Sequence, residues 1–109
     1  MKYIIPQNKV DKIVFRYLDM NLKGLEKRKP KYYDGFVFGL PDENHGLLGY
    51  ENNGTLYIYH DMVEIVSTTF GLLLTDTESI IGRWVSYRFQ LEVKNTILTL
   101  LNDVFIGYR

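Results

Sequence analysis

The chain contains no cysteine, which excludes a disulfide framework and any thiolate-held metal site. It contains no alanine either, although alanine is normally among the commonest residues. That absence points to an AT-biased genome and says nothing about chemistry. No excess of one charge exists: thirteen basic residues balance thirteen acidic ones, for a formal net charge of +0. The simplest argument for nonspecific binding to nucleic acid or membrane is thereby removed. No stretch approaches the roughly 20 apolar residues that span a bilayer. The amino-terminal Met1-Lys2-Tyr3-Ile4-Ile5-Pro6 lacks a long apolar run, so no signal peptide is expected. A soluble protein of a reducing compartment, the cytoplasm, is the expectation.

Enzyme signatures are missing as well. The chain has no Gly-x-Ser-x-Gly, no Gly-x-x-x-x-Gly-Lys and no Gly-x-Gly-x-x-Gly. No catalytic residue, cofactor or metal is therefore expected. At 109 residues, with 46% hydrophobic and 24% charged composition, the chain suits a single globular domain over residues 1–109.

What is present is organised around residues 47–60. Asn53-Gly54 is a hairpin turn signal, because these residues tolerate the positive φ angles of a tight two-residue turn. Tyr33 to Leu40, rich in aromatic and β-branched residues, reads as a preceding strand. Pro41 to Gly46 carries turn chemistry. A three-stranded antiparallel meander follows. Val10, Ile13, Val14, Tyr17 and Leu18 recur at helical spacing and predict a helix from about residue 7 to residue 21. Met62, Ile65, Val66, Thr69, Phe70 and Leu73 form the apolar stripe of a second helix, with Asp61, Glu64, Ser67 and Thr68 off it. Thr75 and Glu78 match a capping box. It opens a third helix whose face is Ile80, Ile81, Trp84, Tyr87 and Leu91. Residues 96–106 suit a helix, with a strand as the alternative. The expected fold is α+β: the meander packed against amphipathic helices in one two-layer domain.

Four groups of residues are candidates for function. Tyr57, Tyr59, Tyr33 and Tyr50 are placed on one sheet face, and tyrosine combines apolar area with a polar tip suited to interfaces. Phe15, Phe89 and Ile106 fall off their helices' stripes and add apolar surface. Arg88 lies within an apolar stripe, four residues after Trp84, where it reaches the indole, Glu92 or an acidic partner. The basic run Lys23 to Lys31 reads as a polar loop. Its Lys27, Arg28, Lys29 and Lys31, with Tyr32, could bind phosphates and stack on bases. His60 with Asp61 or Glu64 offers an imidazole and carboxylates for acid–base chemistry or a metal, while His45 reads as a turn residue.

A leading amphipathic helix, the run Tyr50-Glu51-Asn52-Asn53-Gly54-Thr55-Leu56, and Ile80-Ile81-Gly82-Arg83-Trp84-Val85 follow one another along the chain. This succession resembles small uncharacterised proteins encoded by bacteriophages and other DNA viruses. The resemblance covers the middle half of the chain and transfers no catalytic residue. It implies a small viral accessory protein, in the host cytoplasm, that binds a host or viral protein. The expected function is non-enzymatic: association with a protein partner or with itself through Tyr33, Tyr50, Tyr57, Tyr59, Trp84 and Arg88. Nucleic-acid binding and an enzyme site at His60 are the alternatives.

Overall fold

The computed structural model describes residues 7–30, 33–40, 47–100 and 107–108. Along the chain run α1 (Gln7–Asn21), β1 (Glu26–Pro30), β2 (Gly35–Gly39), β3 (Leu48–Glu51), β4 (Thr55–Tyr59), α2 (His60–Phe70), α3 (Leu74–Phe89), β5 (Asn95–Thr99) and β6 (Gly107–Tyr108). The strands form one sheet in the order β5-β4-β3-β2-β1-β6. The α+β class holds, and the meander is longer than expected. β1 to β4 are antiparallel neighbours, and β5 joins β4 in parallel after the α2–α3 crossover. β6 adds two residues beside β1.

The hairpin forms where the sequence places it, with a different turn. Gly54 has φ 99° while Asn53 stays at negative φ. The loop is therefore Asn52-Asn53-Gly54, a three-residue connection ending on the glycine. The Gly54 N–H donates to the Glu51 carbonyl at 2.9 Å, and the Thr55 N–H donates to Asn53 Oδ1 at 3.0 Å.

Pleating sorts the sheet residues into two faces. Phe38, Leu48 and Ile58 lie side by side, as do Phe36, Tyr50 and Leu56. This face packs against Val14 and Leu18 of α1, Met62, Val63 and Val66 of α2, and Ile80, Ile81, Trp84 and Val85 of α3. Each such side chain contributes about 1.5–3 kcal/mol by leaving water. The opposite face carries the row Arg28, Val37, Gly49, Tyr57, Ile97.

Several expectations give way to tertiary packing. The basic run is not a loop: Glu26–Pro30 is a strand, while Lys31 and Tyr32 lie outside the described residues. So do His45, Ile106 and the turn at 41–46. Asn95–Thr99 is a strand rather than the start of a helix, since β-branched Thr96, Ile97 and Thr99 fit a pleated surface. The rest of the expected helix, residues 101–106, is again outside the described set. α2 is rotated about its axis: Val63 and Ser67 are buried, and Ile65 is 57% exposed. It starts directly from β4 with no intervening loop, so the strand's direction sets the inward face. α2 also stops at Phe70, and Leu73 is exposed. The Ser67 hydroxyl is satisfied by the Leu72 carbonyl.

The capping box does not form. α3 begins at Leu74, which places Thr75 inside its first turn, and no side chain caps it. Thr77, fully buried, instead donates its hydroxyl to the Leu73 carbonyl at 2.8 Å. Tyr87 is exposed, and Leu91 lies beyond the helix end at Phe89. In α1, which packs on α3, Ile13 is exposed.

Candidate functional site

The residues expected to share one docking face are dispersed. Tyr50 packs on the helix side of the sheet, buried, with its hydroxyl donating to the Glu92 carbonyl at 2.8 Å. The register explains this: Tyr50 sits opposite Leu56, and Gly49 sits opposite Tyr57. Trp84 is buried too, its Nε1–H donating to Asp19 at 2.9 Å. Arg88 stands half-exposed with Nε 3.8 Å from the same Asp19, so neither Glu92 nor the indole is its partner. Phe89, expected as surface, stacks on Phe38 with ring centroids 4.2 Å apart, and Phe15 is half-buried against Tyr87.

Tyr33 and Tyr57 do come together, with ring centroids 5.9 Å apart. Tyr57 donates to Glu51 Oε1 at 2.8 Å, and that bond, followed by burial, raises its pKa. Burial, then the neighbouring Tyr57 and Glu51, raises that of Tyr33. Both are neutral phenols at physiological pH.

The remaining tyrosine of the set, Tyr59, lines a groove of about 310 Å³ at the end of β4. One wall is the second half of α1, with Tyr17 and Leu18, and Leu22 just past its end; the other is α2, with Met62, Ile65 and Val66; Leu47 and Tyr59 close it from the sheet. The walls are held firmly. Tyr17 meets Phe70 edge to face at 5.3 Å, and the Asn21 amide donates to the Tyr17 carbonyl at 2.8 Å. Ile65 is the ridge between this groove and a second depression lined by Asp61, Glu64, Thr68 and Thr69.

Asp61 borders the groove, and Glu64 lies in the depression beyond Ile65. His60 Nδ1 lies 3.4 Å from Glu64 Oε2 and 3.7 Å from Asp61 Oδ1. The structure thus brings together the trio suspected from sequence, with ligand atoms within 4.8 Å of one another. An imidazole and two carboxylates suit a divalent cation in type, but two features count against that use. Both acids are exposed, and Asp61 sits in the first turn of α2, where the helix dipole disfavours a cation. Among the described residues no fourth His, Cys, Asp or Glu joins them.

The basic residues divide by strand alternation. Arg28 is buried, donating to the Leu40 carbonyl at 2.8 Å and lying 3.5 Å from Glu26. Lys27 and Lys29 point the other way, and all three basic residues, with Tyr33, Phe36 and Asn52, border an open cleft of about 510 Å³. Lys27 Nζ lies 3.9 Å from the Phe36 ring centroid, so the protein's own cation occupies one ring face.

The chain matches no protein-family model, no curated protein and no solved structure. Among the described residues no helix is long and apolar enough to cross a membrane. The sequence signals single out Tyr59, Asp61 and Glu64 but miss Tyr17, Leu22, Leu47 and Ile65 as a site. Helical periodicity could not have found them, because it assigns Ile65 to the core.

Proposed function

We propose that the protein is a small non-enzymatic interaction module that takes an apolar segment of a partner protein into the groove between α1 and α2. The observation that carries this reading is the groove wall itself: Tyr17, Leu18, Leu22, Leu47, Tyr59, Met62, Ile65 and Val66, with Asp61 at its rim. Large apolar side chains in a concave, partly desolvated setting are where binding energy concentrates. Asp61 and Glu64 favour a partner that sets a lysine or arginine beside its apolar anchor. A viral accessory role belongs to the same reading, supported by the resemblance noted above and by the missing alanine.

Panning a library of random peptides against the immobilised protein tests it. Enrichment of peptides with a large apolar residue flanked by lysine or arginine is expected. Ile65→Glu should weaken their binding about tenfold or more, equivalent to at least about 1.4 kcal/mol. The melting temperature should barely change, because Ile65 is 57% exposed. Failure to enrich such peptides, or binding indifferent to Ile65→Glu, would overturn the reading.

The cleft beside Lys27 and Lys29 supports a second reading, single-stranded nucleic acid on a basic strand with aromatic neighbours. The neutral net charge and the lysine already seated on Phe36 argue the other way. Oligo-dT is therefore expected not to bind even at low salt. Salt-dependent binding abolished by Lys27→Glu with Lys29→Glu would reverse that ranking.

A further inference from the structure

The two edges of the sheet are built differently. At one edge, β1 carries Lys27, Lys29 and Pro30 and is flanked by the two-residue β6. Charge, proline and a very short outer strand are the devices that keep sheet edges from pairing with other chains. At the other edge, β5 reads Asn95-Thr96-Ile97-Leu98-Thr99, with none of those devices. Among the described residues no strand flanks it on its outer side.

We propose that β5 is a self-association edge, through which two copies of the chain pair antiparallel about Ile97 and continue the sheet from one into the other. The backbone supplies the first reason. The Gly54 carbonyl accepts from the Lys94 N–H at 2.8 Å and the Asn95 N–H at 3.4 Å. In the parallel register Asn95 lies opposite Thr55, whose own N–H is taken by Asn53 Oδ1, so the ladder bonds of this pair come from Asn95. A strand residue's N–H and C=O point to the same side and alternate along the strand. Asn95 and Ile97 therefore pair towards β4, and Thr96 and Leu98 present their N–H and C=O groups outward.

A second copy fits these groups in register. With Ile97 opposite Ile97 of the other chain, Thr96 faces Leu98 and exchanges both backbone bonds with it, and Lys94 faces Leu100. No like charges oppose each other, and a net charge of +0 leaves no long-range repulsion between copies. Ile97 is 42% exposed and Leu100 is 73% exposed, so pairing covers apolar area now in water. The flank of α3 beside this edge carries the small Ser79, Gly82 and Ser86. Arg83, next to them, is held back by Asp11 through bonds of 2.8 and 3.0 Å. Among the described residues, no bulky side chain on this flank of α3 therefore obstructs the approach. One short strand pair lies at the low end of specific interface sizes, so the dimer is expected to be concentration-dependent. This surface is separate from the groove, and the inference does not rest on it.

Sedimentation velocity over a wide concentration range tests the proposal. The mass should rise from the 12.8 kDa monomer towards twice that value, and Ile97→Lys should hold it at the monomer by opposing two like charges. The chain has no cysteine, so Ile97→Cys creates a single thiol whose counterpart sits directly opposite. In a non-hydrogen-bonded pair that spacing suits a disulfide. Under mild oxidation this variant should form covalent dimer at least tenfold faster than Ile65→Cys, whose site is also exposed. A wild-type chain that stays monomeric throughout, or a dimer that persists in Ile97→Lys, overturns the proposal. So does equal crosslinking of the two cysteine variants. A dimer abolished by Ile65→Glu but not by Ile97→Lys does the same and moves the interface to the groove.

Discussion

Trp84→Ala is expected to lose about 3–5 kcal/mol of stability, the range for truncating a buried aromatic residue. Trp84 is the largest of the fully buried side chains, 1% exposed. Its ring meets Phe89 edge to face at 5.7 Å, and Phe89 in turn stacks on Phe38 of β2. The indole thus links α3 to the sheet, while its N–H ties α3 to Asp19 of α1. Truncation opens a cavity where α1, α3 and the sheet meet. It also forfeits a hydrogen bond worth about 1 kcal/mol. A domain of this size commands only about 5–15 kcal/mol in all, so the melting temperature should fall by roughly 15–30 °C. Trp84→Phe keeps most of the volume, and Asp19 retains Arg88 and solvent; it should cost only about 1–2 kcal/mol. Circular dichroism during urea denaturation measures both. A loss below about 1 kcal/mol for the alanine variant would show that Trp84 does not hold the layers together.

Gly35→Ala is the second large effect. A Cβ at this position would lie 1.7 Å from the Tyr50 carbonyl oxygen, 2.8 Å from its carbon and 3.0 Å from Glu51 Cα. The obstruction is backbone, which cannot rotate aside as a side chain does. Gly35 is paired with Glu51 in the β2–β3 register, and Tyr50 is anchored by its hydroxyl to Glu92. Relief requires the first pairs of β2 to separate from β3, at about 3 kcal/mol or more. Faster amide exchange should appear at Asn52, whose N–H donates to the Asp34 carbonyl at 2.9 Å beside this contact. A variant of wild-type stability with unchanged exchange would mean that the strands are not this close.

How much of this was legible beforehand differs by element. Residues 47–60 were readable because turn chemistry is local: Gly54 reverses the chain with alternating apolar residues on either side. α1 was readable at both ends for a similar reason, its period being long and uninterrupted. Other elements misled because their local signals are weaker than contacts made elsewhere. Lys27, Arg28 and Lys29 look like a solvated loop in isolation, yet pairing to Val37 and Phe38 makes them a strand and buries the middle one. Tyr50 and Tyr57 look alike in composition, and only the β3–β4 register puts them on opposite faces. Ile65 belongs to the core by period and to the surface by the angle at which α2 leaves β4.

The sequence by itself determined the class of fold, the hairpin, the existence of three helices, and the lack of any thiol or long apolar segment. These follow from residue chemistry within a few positions along the chain. Only the tertiary structure decided that β5 lies parallel beside β4, that Trp84 and Tyr50 face inward, and that Tyr59 joins Ile65 along a groove. Those outcomes depend on residues dozens of positions apart competing for the same buried space. No periodicity within one segment can report which of them wins.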